Sequence, residues 1–194
     1  MHHPRTRIAL TFDDGPSPWT PAILDLLADR GARATFFVVG EAVERRGEIV
    51  RRALAEGHEL GNHTQTHSSA SSLDDAQLRR ELERASAAIE GATGIVPRLA
   101  RPPYGHDPDR FGRIAAELGL DTVMWSVTPE DWSGISGEEI ARRVLEQAEP
   151  GATVLLHDGM QWGNRPTCTP TVEAVEAILE ALDGHEFVTV SELS

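Results

Sequence analysis

The sequence predicts an α/β fold in which parallel strands form a distorted, incomplete (β/α)7 barrel. Short apolar segments alternate with stretches of helical periodicity, which is typical of βα units and a parallel sheet. Polar residues of the kinds used in catalysis directly follow five of these segments. In an open sheet they would gather at one switch point, so their spread favours a ring with its site at the C-terminal face of the strands. Seven segments leave that ring incomplete.

Seven short apolar segments are the predicted strands. In chain order they comprise residues 7–12, 34–38, 58–61, 98–101, 122–127, 153–156 and 187–190. Between them the apolar residues recur with a period of about 3.6, which predicts helices. The clearest such stripe contains Leu78, Leu82, Ala85 and Ile89.

Capping signals indicate where several helices begin. Thr20 and Asp107 each precede a proline, the residue favoured at the first helical position. Ser136 and Glu139 form the pattern of a capping box, which predicts another helix start.

The composition indicates one globular domain that spans residues 1–194. Hydrophobic residues make up 40% of the chain and charged residues 25%, a balance that supports a packed core. The formal net charge is −13 and lysine is absent, which argues against a nucleic-acid or anionic-membrane surface and excludes Schiff-base chemistry. A single cysteine, Cys168, excludes an intrachain disulfide framework and a cysteine-based zinc finger.

The N-terminal segment does not have the pattern of a secretory signal. The apolar stretch after Arg5 is about six residues long, too short for the hydrophobic region of such a signal. No apolar run in the sequence is long enough to span a bilayer. We therefore expect a cytoplasmic protein without a membrane segment, or a secreted or cell-wall-associated one if a leader was trimmed. Nothing in the sequence indicates an oligomeric state.

Two adjacent carboxylates, Asp13 and Asp14, end the first predicted strand and precede a Gly-Pro turn. Successive strand residues point to opposite sides, so the two side chains should do different jobs. One can bind a cation while the other serves as a base. The alternative is an Asp-Gly turn with a spare carboxylate as a helix cap.

His63 and His67 lie in the segment that begins where the third predicted strand ends. On a helical turn, positions i and i+4 face the same way, and two imidazoles there can chelate one metal ion. Two surface histidines are the alternative. A strand-end aspartate that is available as a third ligand favours the metal site.

The loop after the fourth predicted strand reads Arg-Pro-Pro-Tyr-Gly from Arg101 to Gly105. Its two prolines lack an N–H, so the backbone N–H of Tyr104 is the next one free to point into a site. The alternative is an ordinary Pro/Gly loop with a surface arginine.

An Asp-Trp pair, Asp131 and Trp132, follows the fifth predicted strand, and His157 ends the sixth. The aspartate could orient a histidine while the indole ring walls an apolar pocket. A histidine at the end of a buried strand is a candidate general acid. A core tryptophan and a satisfied core histidine are the alternatives.

Taken together, these five segments resemble the motifs of the NodB-type polysaccharide deacetylases, carbohydrate esterase family 4. Thr-Phe-Asp-Asp-Gly, His-Thr-Gln-Thr-His, Arg-Pro-Pro-Tyr-Gly, Asp-Trp and Leu-Leu-His-Asp occur in the family's order between Thr11 and Asp158. The resemblance implies a distorted (β/α) barrel of the NodB homology type. It also implies metal-dependent hydrolysis of an acetyl group, usually the N-acetyl group of N-acetylglucosamine units in chitin, chito-oligosaccharides or peptidoglycan, with release of acetate.

The resemblance assigns the residues that hold the metal and take up the proton. Asp14, His63 and His67 match the metal ligands of the family. Asp13 matches the general base, and Arg101 matches the residue that holds this base. The implied cofactor is a divalent metal ion, for which Zn²⁺ fits best and Co²⁺ or Mn²⁺ are possible with the same ligands.

The resemblance also assigns the residues on the leaving-group side. His157 matches the general acid and Asp131 its partner. The backbone N–H of Tyr104 matches the donor to the oxyanion. Trp132 and Leu155 match the walls of the pocket for the acetyl methyl group. The implied partner is an acetylated carbohydrate substrate.

Three alternatives remain open at the level of the sequence. Two are hydrolases: an O-acetyl esterase that acts on acetylated xylan, and a related enzyme that acts on non-sugar amides. The third is a sugar-binding module that has lost catalysis, which the intact base, acid and ligand positions argue against.

Parts of the chain depart from the family pattern. The family often has aspartate where this chain has Ser126 and Thr128, which affects local hydrogen bonding and substrate contacts. The segment 159–168 matches no diagnostic pattern. Its Trp162 could stack on a sugar ring or pack on its own scaffold.

Overall fold

The computed structural model describes residues 6–159 and 166–193, in which parallel strands alternate with helices. The strands are β1 (Arg7–Asp13), β2 (Thr35–Val38), β3 (Glu59–Asn62), β4 (Leu99–Ala100), β5 (Asp121–Thr122), β6 (Thr153–His157) and β7 (Glu186–Phe187). The helices are α1 (Thr20–Asp29), α2 (Gly40–Ala55), α3 (Asp75–Thr93), α4 (Pro108–Glu117), α5 (Gly137–Gln147), α6 (Thr169–Ala181) and α7 (Val190–Leu193).

The strands form one sheet in the order β5-β4-β3-β2-β1-β6, and β7 pairs with the beginning of β1. All of these pairings are parallel. An isolated bridge between Val127 and Val154 brings the chain after β5 alongside β6, so the sheet curls toward a ring. The predicted distorted, incomplete barrel is confirmed.

Two predicted strands, the fifth and the seventh, end several residues earlier than expected, because the chain pairs differently there. The fifth was predicted over residues 122–127, but regular pairing ends at Thr122. The carbonyls of Val123 and Met124 accept hydrogen bonds from the Arg101 guanidinium at 3.0 and 3.3 Å, which satisfies them without a neighbouring strand. The seventh was predicted over residues 187–190, but helix α7 begins at Val190.

The predicted helix starts are confirmed in part. The hydroxyl of Ser136 accepts a hydrogen bond from the Glu139 N–H at 3.2 Å and so caps α5. Thr20 is not a cap, because it is the first residue of α1 and its hydroxyl donates to the carboxyl group of Asp158. Asp107 precedes α4 but makes no capping bond with its side chain.

The alternation of side chains along β1 and β6 decides which residues reach the functional site. Alternate residues of both strands belong to the main hydrophobic core: Leu10, Phe12, Val154 and Leu156. The residues between them point to the opposite side. In the register of the two strands, Thr11 lies beside Leu155 and Asp13 lies beside His157. Two residues with predicted chemical roles are therefore neighbours on one face at the ends of adjacent strands.

The helices pack on the outer face of the sheet and bury two apolar clusters. The main core joins the sheet to α1, α2, α5 and α6. A second cluster, which includes Leu78, Leu82 and Phe111, lies between α3 and α4. Among the described residues, no helix is both long enough and apolar enough to cross a membrane.

Candidate active site

The strand ends and the loops that follow them surround a cavity of about 270 Å³. The sequence assigns a role to ten residues. Two of them, Arg101 and Asp131, are buried beside the cavity and do not line it. The eight that line it are Asp13, Asp14, His63, His67, Tyr104, Trp132, Leu155 and His157. The structure thus brings the whole predicted set together.

Asp14, His63 and His67 form a buried cluster whose ligand atoms all lie within 4.8 Å of one another. Oδ1 of Asp14 is 3.4 Å from Nε2 of His63 and 2.9 Å from Nε2 of His67. One carboxylate and two imidazoles leave coordination positions open, which is typical of a catalytic rather than a structural metal site. The donor set therefore fits a divalent cation.

The backbone brings these three side chains together in a way that the sequence analysis did not expect. The segment from His63 to His67 is an irregular loop, so the predicted helical turn is wrong. His67 has a left-handed φ of 59°, and the two imidazole centroids are 5.0 Å apart. Asp14 is also left-handed, with φ 77°, and it lies beyond the end of β1. Asp13 and Asp14 therefore line the same cavity, and the expectation of opposite sides is wrong.

The N-terminus of α2 holds the loop that carries the two histidines. The N–H groups of Gly40 and Glu41 donate to the carbonyls of Thr64 and Gln65, both at 3.0 Å. These N–H groups belong to the first turn of the helix, where they have no partner within the helix itself. The side chain of Gln65 donates to Glu44 at 2.9 Å and occupies the space that a Cβ on Gly40 would need.

The protonation states of the cluster suit metal binding. Nδ1 of His63 lies 2.8 Å from the Arg101 carbonyl, which only accepts, so Nδ1 donates this hydrogen bond and Nε2 is the ring nitrogen that faces Asp14. Burial lowers the pKa of His67 and favours the neutral imidazole. Burial alone would raise the pKa of Asp14, but its hydrogen bonds with the two histidines hold that pKa well below the usual range. Metal ligands bind in their deprotonated forms, which these pKa shifts favour for Asp14 and His67.

Arg101 holds Asp13 from behind the cavity. Its guanidinium donates to Oδ1 of Asp13 and to the hydroxyl of Thr11, both at 2.8 Å, and it lies 4.1 Å from the centroid of the Phe37 ring. A fully buried charge needs such partners. No role was predicted for Thr11, although it lies two residues before Asp13 and the alternation of a strand places both side chains on one face.

Asp131 holds His157 by two hydrogen bonds. Its Oδ1 accepts from Nδ1 of His157 at 2.7 Å, and its Oδ2 accepts from the His157 backbone N–H at 2.9 Å. Burial disfavours the imidazolium, but the charge and hydrogen bond of Asp131 outweigh it and raise the pKa of His157 to about 9. The hydroxyl of Thr171 on α6 donates to the same Oδ2 at 2.8 Å. No local signal marks Thr171, because α6 comes forty positions later in the chain.

The tyrosine loop forms another wall of the cavity. Tyr104 has a left-handed backbone with φ 61°, and its ring packs on the His67 ring with centroids 4.8 Å apart. The next residue, Gly105, has φ 66°, and a Cβ there would lie 2.9 Å from the Trp125 ring. Trp125 also lines the cavity, although the sequence assigned it no role.

The apolar part of the cavity lies next to His157. The Trp132 ring meets the His157 ring edge-on with centroids 5.2 Å apart, and Leu155 lines the same cavity two residues earlier on β6. Ser126 accepts a hydrogen bond from the Thr153 N–H, whereas the hydroxyl of Thr128 is buried and has no partner among the described residues. Trp162, for which a sugar contact was considered, lies outside the described residues.

Comparisons with known proteins agree with this geometry. A family model described as polysaccharide deacetylase matches residues 2–123. A chitooligosaccharide deacetylase from Bradyrhizobium sp. (strain ANU 289) is 42% identical over 188 residues, which cover 93% of this chain and 86% of that protein. A peptidoglycan-N-acetylglucosamine deacetylase from Bacillus cereus is 44% identical over 191 residues, which cover 96% and 87%.

Solved structures extend the likeness to three dimensions. The peptidoglycan deacetylase PdaC from Bacillus subtilis superposes with a TM-score of 0.88 at 36% identity, over 98% of this chain and 90% of that chain. Sequence motifs, site geometry and fold therefore agree, and the chain belongs to the polysaccharide deacetylase family, the carbohydrate esterases of family 4.

Proposed function

We propose that this protein is a metal-dependent deacetylase that hydrolyses the N-acetyl group of N-acetylglucosamine units in oligo- or polysaccharides and releases acetate. Chitin, chito-oligosaccharides and peptidoglycan are the substrate classes, in keeping with the names of the similar proteins. The observation that carries the proposal is one cavity that holds a metal-ligating triad, a carboxylate clamped by a buried arginine, and a histidine clamped by a buried aspartate.

Asp14, His63 and His67 would hold the metal, and Zn²⁺ suits this donor set best. When bound there, a divalent cation supplies Lewis-acid polarisation of the acetyl carbonyl and lowers the pKa of water. The chain supplies the rest of the chemistry from residues that ligate no metal.

Asp13 acts as the general base. The 2.8 Å contact with Arg101 fixes the direction of the carboxylate, so it can take a proton from the attacking water. The backbone N–H of Tyr104 is the first donor after the two prolines of its loop and stabilises the oxyanion that forms from the carbonyl oxygen.

His157 acts as the general acid. Its raised pKa, about 9, keeps the imidazole protonated at neutral pH, so it can give a proton to the departing amine nitrogen. An amine leaves poorly without that proton. Trp132 and Leu155 exclude water around the acetyl methyl group next to this acid.

Acetate release from matched substrates tests the proposal. Chito-oligosaccharides, peptidoglycan fragments and acetylated xylan are incubated with the metal-loaded protein, with and without a chelator. We expect release from the two N-acetylated substrates and its loss in the chelator, followed by recovery when Zn²⁺ is restored. Full activity after exhaustive metal removal would contradict the role of the triad. Release from acetylated xylan alone would favour the O-acetyl esterase instead.

A further inference from the structure

A second groove opens beside the metal-ligating triad, along the loop that joins β1 to α1. Its volume is about 310 Å³, and it shares Asp14 and Gly159 with the active-site cavity. The groove and the active-site cavity therefore lie side by side, with Asp14 and Gly159 in the walls of both. The reaction proposed above uses none of the residues at its far end.

The far end of the groove is formed by Trp19 from the β1–α1 loop and by Arg45 and Arg46 from α2. Of the described residues that line the groove, only Asp14 and these two arginines are charged. Asp14 belongs to the metal-ligating triad. The charged groups of the groove that remain for a ligand are therefore both positive, although the formal net charge of the chain is −13.

The two arginines are available to a ligand. Arg45 is about half exposed and lies 3.8 Å from Glu41, a distance at which an ion pair contributes little. Arg46 makes no ion pair and no side-chain hydrogen bond with any described residue. Some other arginines of the chain are held by carboxylates, as Arg52 is by Asp25 at 2.6 Å.

The backbone of α2 departs from the helix at Arg46, where φ is −141° and ψ is 42°. Consecutive residues of a regular helix point about 100° apart around its axis. With the helix interrupted at this point, the adjacent side chains of Arg45 and Arg46 line the same groove. The break thus produces a pair of guanidinium groups beside an indole ring.

We propose that this groove binds a carboxylate on the sugar unit next to the one that is deacetylated, while Trp19 packs against the sugar ring. Guanidinium groups match the planar geometry of a carboxylate, and aromatic rings are usual in small-molecule sites. The inference rests on the proposed function and narrows its substrate to acetylated amino-sugar chains that carry carboxylates. The carboxylate comes from a lactyl ether, as in peptidoglycan, or from a uronic acid.

The test compares tetrasaccharides of equal length. One alternates N-acetylglucosamine with N-acetylmuramic acid, a second is its methyl ester, a third is a hyaluronan tetrasaccharide with glucuronic acid, and the fourth is neutral chitotetraose. Acetate release gives kcat/KM for each substrate. We expect the wild-type protein to prefer the lactyl acid or the uronic acid over its neutral counterpart by about fivefold, and the preferred acid identifies the source of the carboxylate.

The variant Arg45→Gln/Arg46→Gln should lose this preference, with kcat/KM for chitotetraose unchanged. A matched control, Arg79→Gln/Arg80→Gln, removes the same charge from adjacent arginines on α3 that line neither cavity. The control should keep the wild-type preference. The inference would be overturned if the wild type preferred neither acid over its neutral counterpart. It would also be overturned by a preference that survives in the first variant, or by a parallel loss on chitotetraose.

Binding separates this inference from the proposed function. If no tetrasaccharide releases acetate, the proposed function fails. Calorimetry with both acids and their neutral counterparts then decides by itself whether the groove binds a carboxylate. Tighter binding of the acid by the wild type, lost in the Arg45→Gln/Arg46→Gln variant, supports the groove. Equal affinity of the two proteins for the acid overturns it.

Discussion

Asp131 acts on His157 through position and through charge, and the two effects can be separated. Its two oxygens accept from the ring and from the backbone of the same histidine, so the imidazole has one orientation. Its negative charge offsets the cost of burying an imidazolium, which is why the pKa of His157 is raised to about 9. An amide at position 131 keeps most of the shape and removes the charge.

The variant Asp131→Asn should therefore lower the upper limb of the pH–rate profile. Activity requires protonated His157, so the rate falls as pH rises through the pKa of this group. Without the carboxylate, the cost of burial is opposed only by the charges of Asp14 and Asp13, so the pKa moves down from about 9 toward the ordinary value of 6.5. Turnover at neutral pH should drop as well. A pH–rate series with one soluble acetylated substrate measures both effects.

Thr171→Val is the control for this change, because it removes the hydroxyl that donates to Asp131 and leaves the charge in place. We expect its upper limb to stay close to that of the wild type. An unchanged upper limb in Asp131→Asn would show that Asp131 does not tune His157, and the pairing would have to be abandoned.

The neighbouring carboxylates Asp13 and Asp14 should separate by mutation. Asp13→Asn removes proton abstraction but no metal ligand, so the protein should retain its metal and lose roughly two to four orders of magnitude in turnover. Asp14→Asn should weaken metal binding itself, because an amide is a poorer ligand than a carboxylate. Metal content after gel filtration and kcat are measured for both. Metal loss in Asp13→Asn with retention in Asp14→Asn would reverse the two roles.

For single residues, the sequence predicted which residue types form the site better than it predicted where their side chains point. Asp14 was expected on the opposite side of the strand from Asp13, but its left-handed φ of 77° turns it into the same cavity. A period-two pattern has no information about a backbone that leaves the strand. Thr11 was predictable from that pattern, whereas Thr171 was not, because its contact with Asp131 depends on how α6 packs.

Among the elements, α2 has the most direct influence on the metal-ligating triad. Its first N–H groups bind the carbonyls between the two histidines, and the missing Cβ of Gly40 makes room for Gln65. The position of the loop between His63 and His67 is thus set by a helix that contributes no ligand. A heptad or capping pattern does not reveal such a contact, and the spacing of the histidines suggested a helical turn instead.

Gly40→Ala should weaken metal affinity by about ten- to a hundredfold, because the new methyl group displaces Gln65 and with it the histidine loop. Competition against a fluorescent chelator measures the Kd for Zn²⁺. A second change, Gln65→Ala in the same protein, reopens the space and should recover part of the affinity.

Gly47→Ala is the matched control in the same helix. A Cβ at Gly47 has its nearest neighbours at 3.4 Å, which is ordinary contact. This variant should bind Zn²⁺ like the wild type. Equal affinities in Gly40→Ala and Gly47→Ala would show that the close approach of α2 does not position the loop.

At the scale of the whole molecule, the seven apolar segments predicted the parallel sheet, and the polar residues after five of them predicted that it curls into a ring. Strand-sized runs separated by helices leave few other ways to bury both, and each of the seven contains or overlaps an observed strand. The prediction was least accurate for β5, where the guanidinium of Arg101 takes the carbonyls of Val123 and Met124. The buried side chain of Arg101 takes the place of a neighbouring strand there, and no local pattern of residues 122–127 indicates this contact.

The register of β1 and β6 constrains how this enzyme could change. Asp13 and His157 are partners across adjacent strands, so their separation is fixed by the spacing of hydrogen-bonded chains. A one-residue slip or insertion in either strand would turn the side chain that this strand carries, Asp13 or His157, toward the core. Changes in either strand therefore either keep the relative positions of Asp13, the proposed base, and His157, the proposed acid, or abolish them. The stretch of the β1–α1 loop that carries Trp19 has no such restriction, so new substrates can be acquired there while the proton-transfer geometry is inherited unchanged.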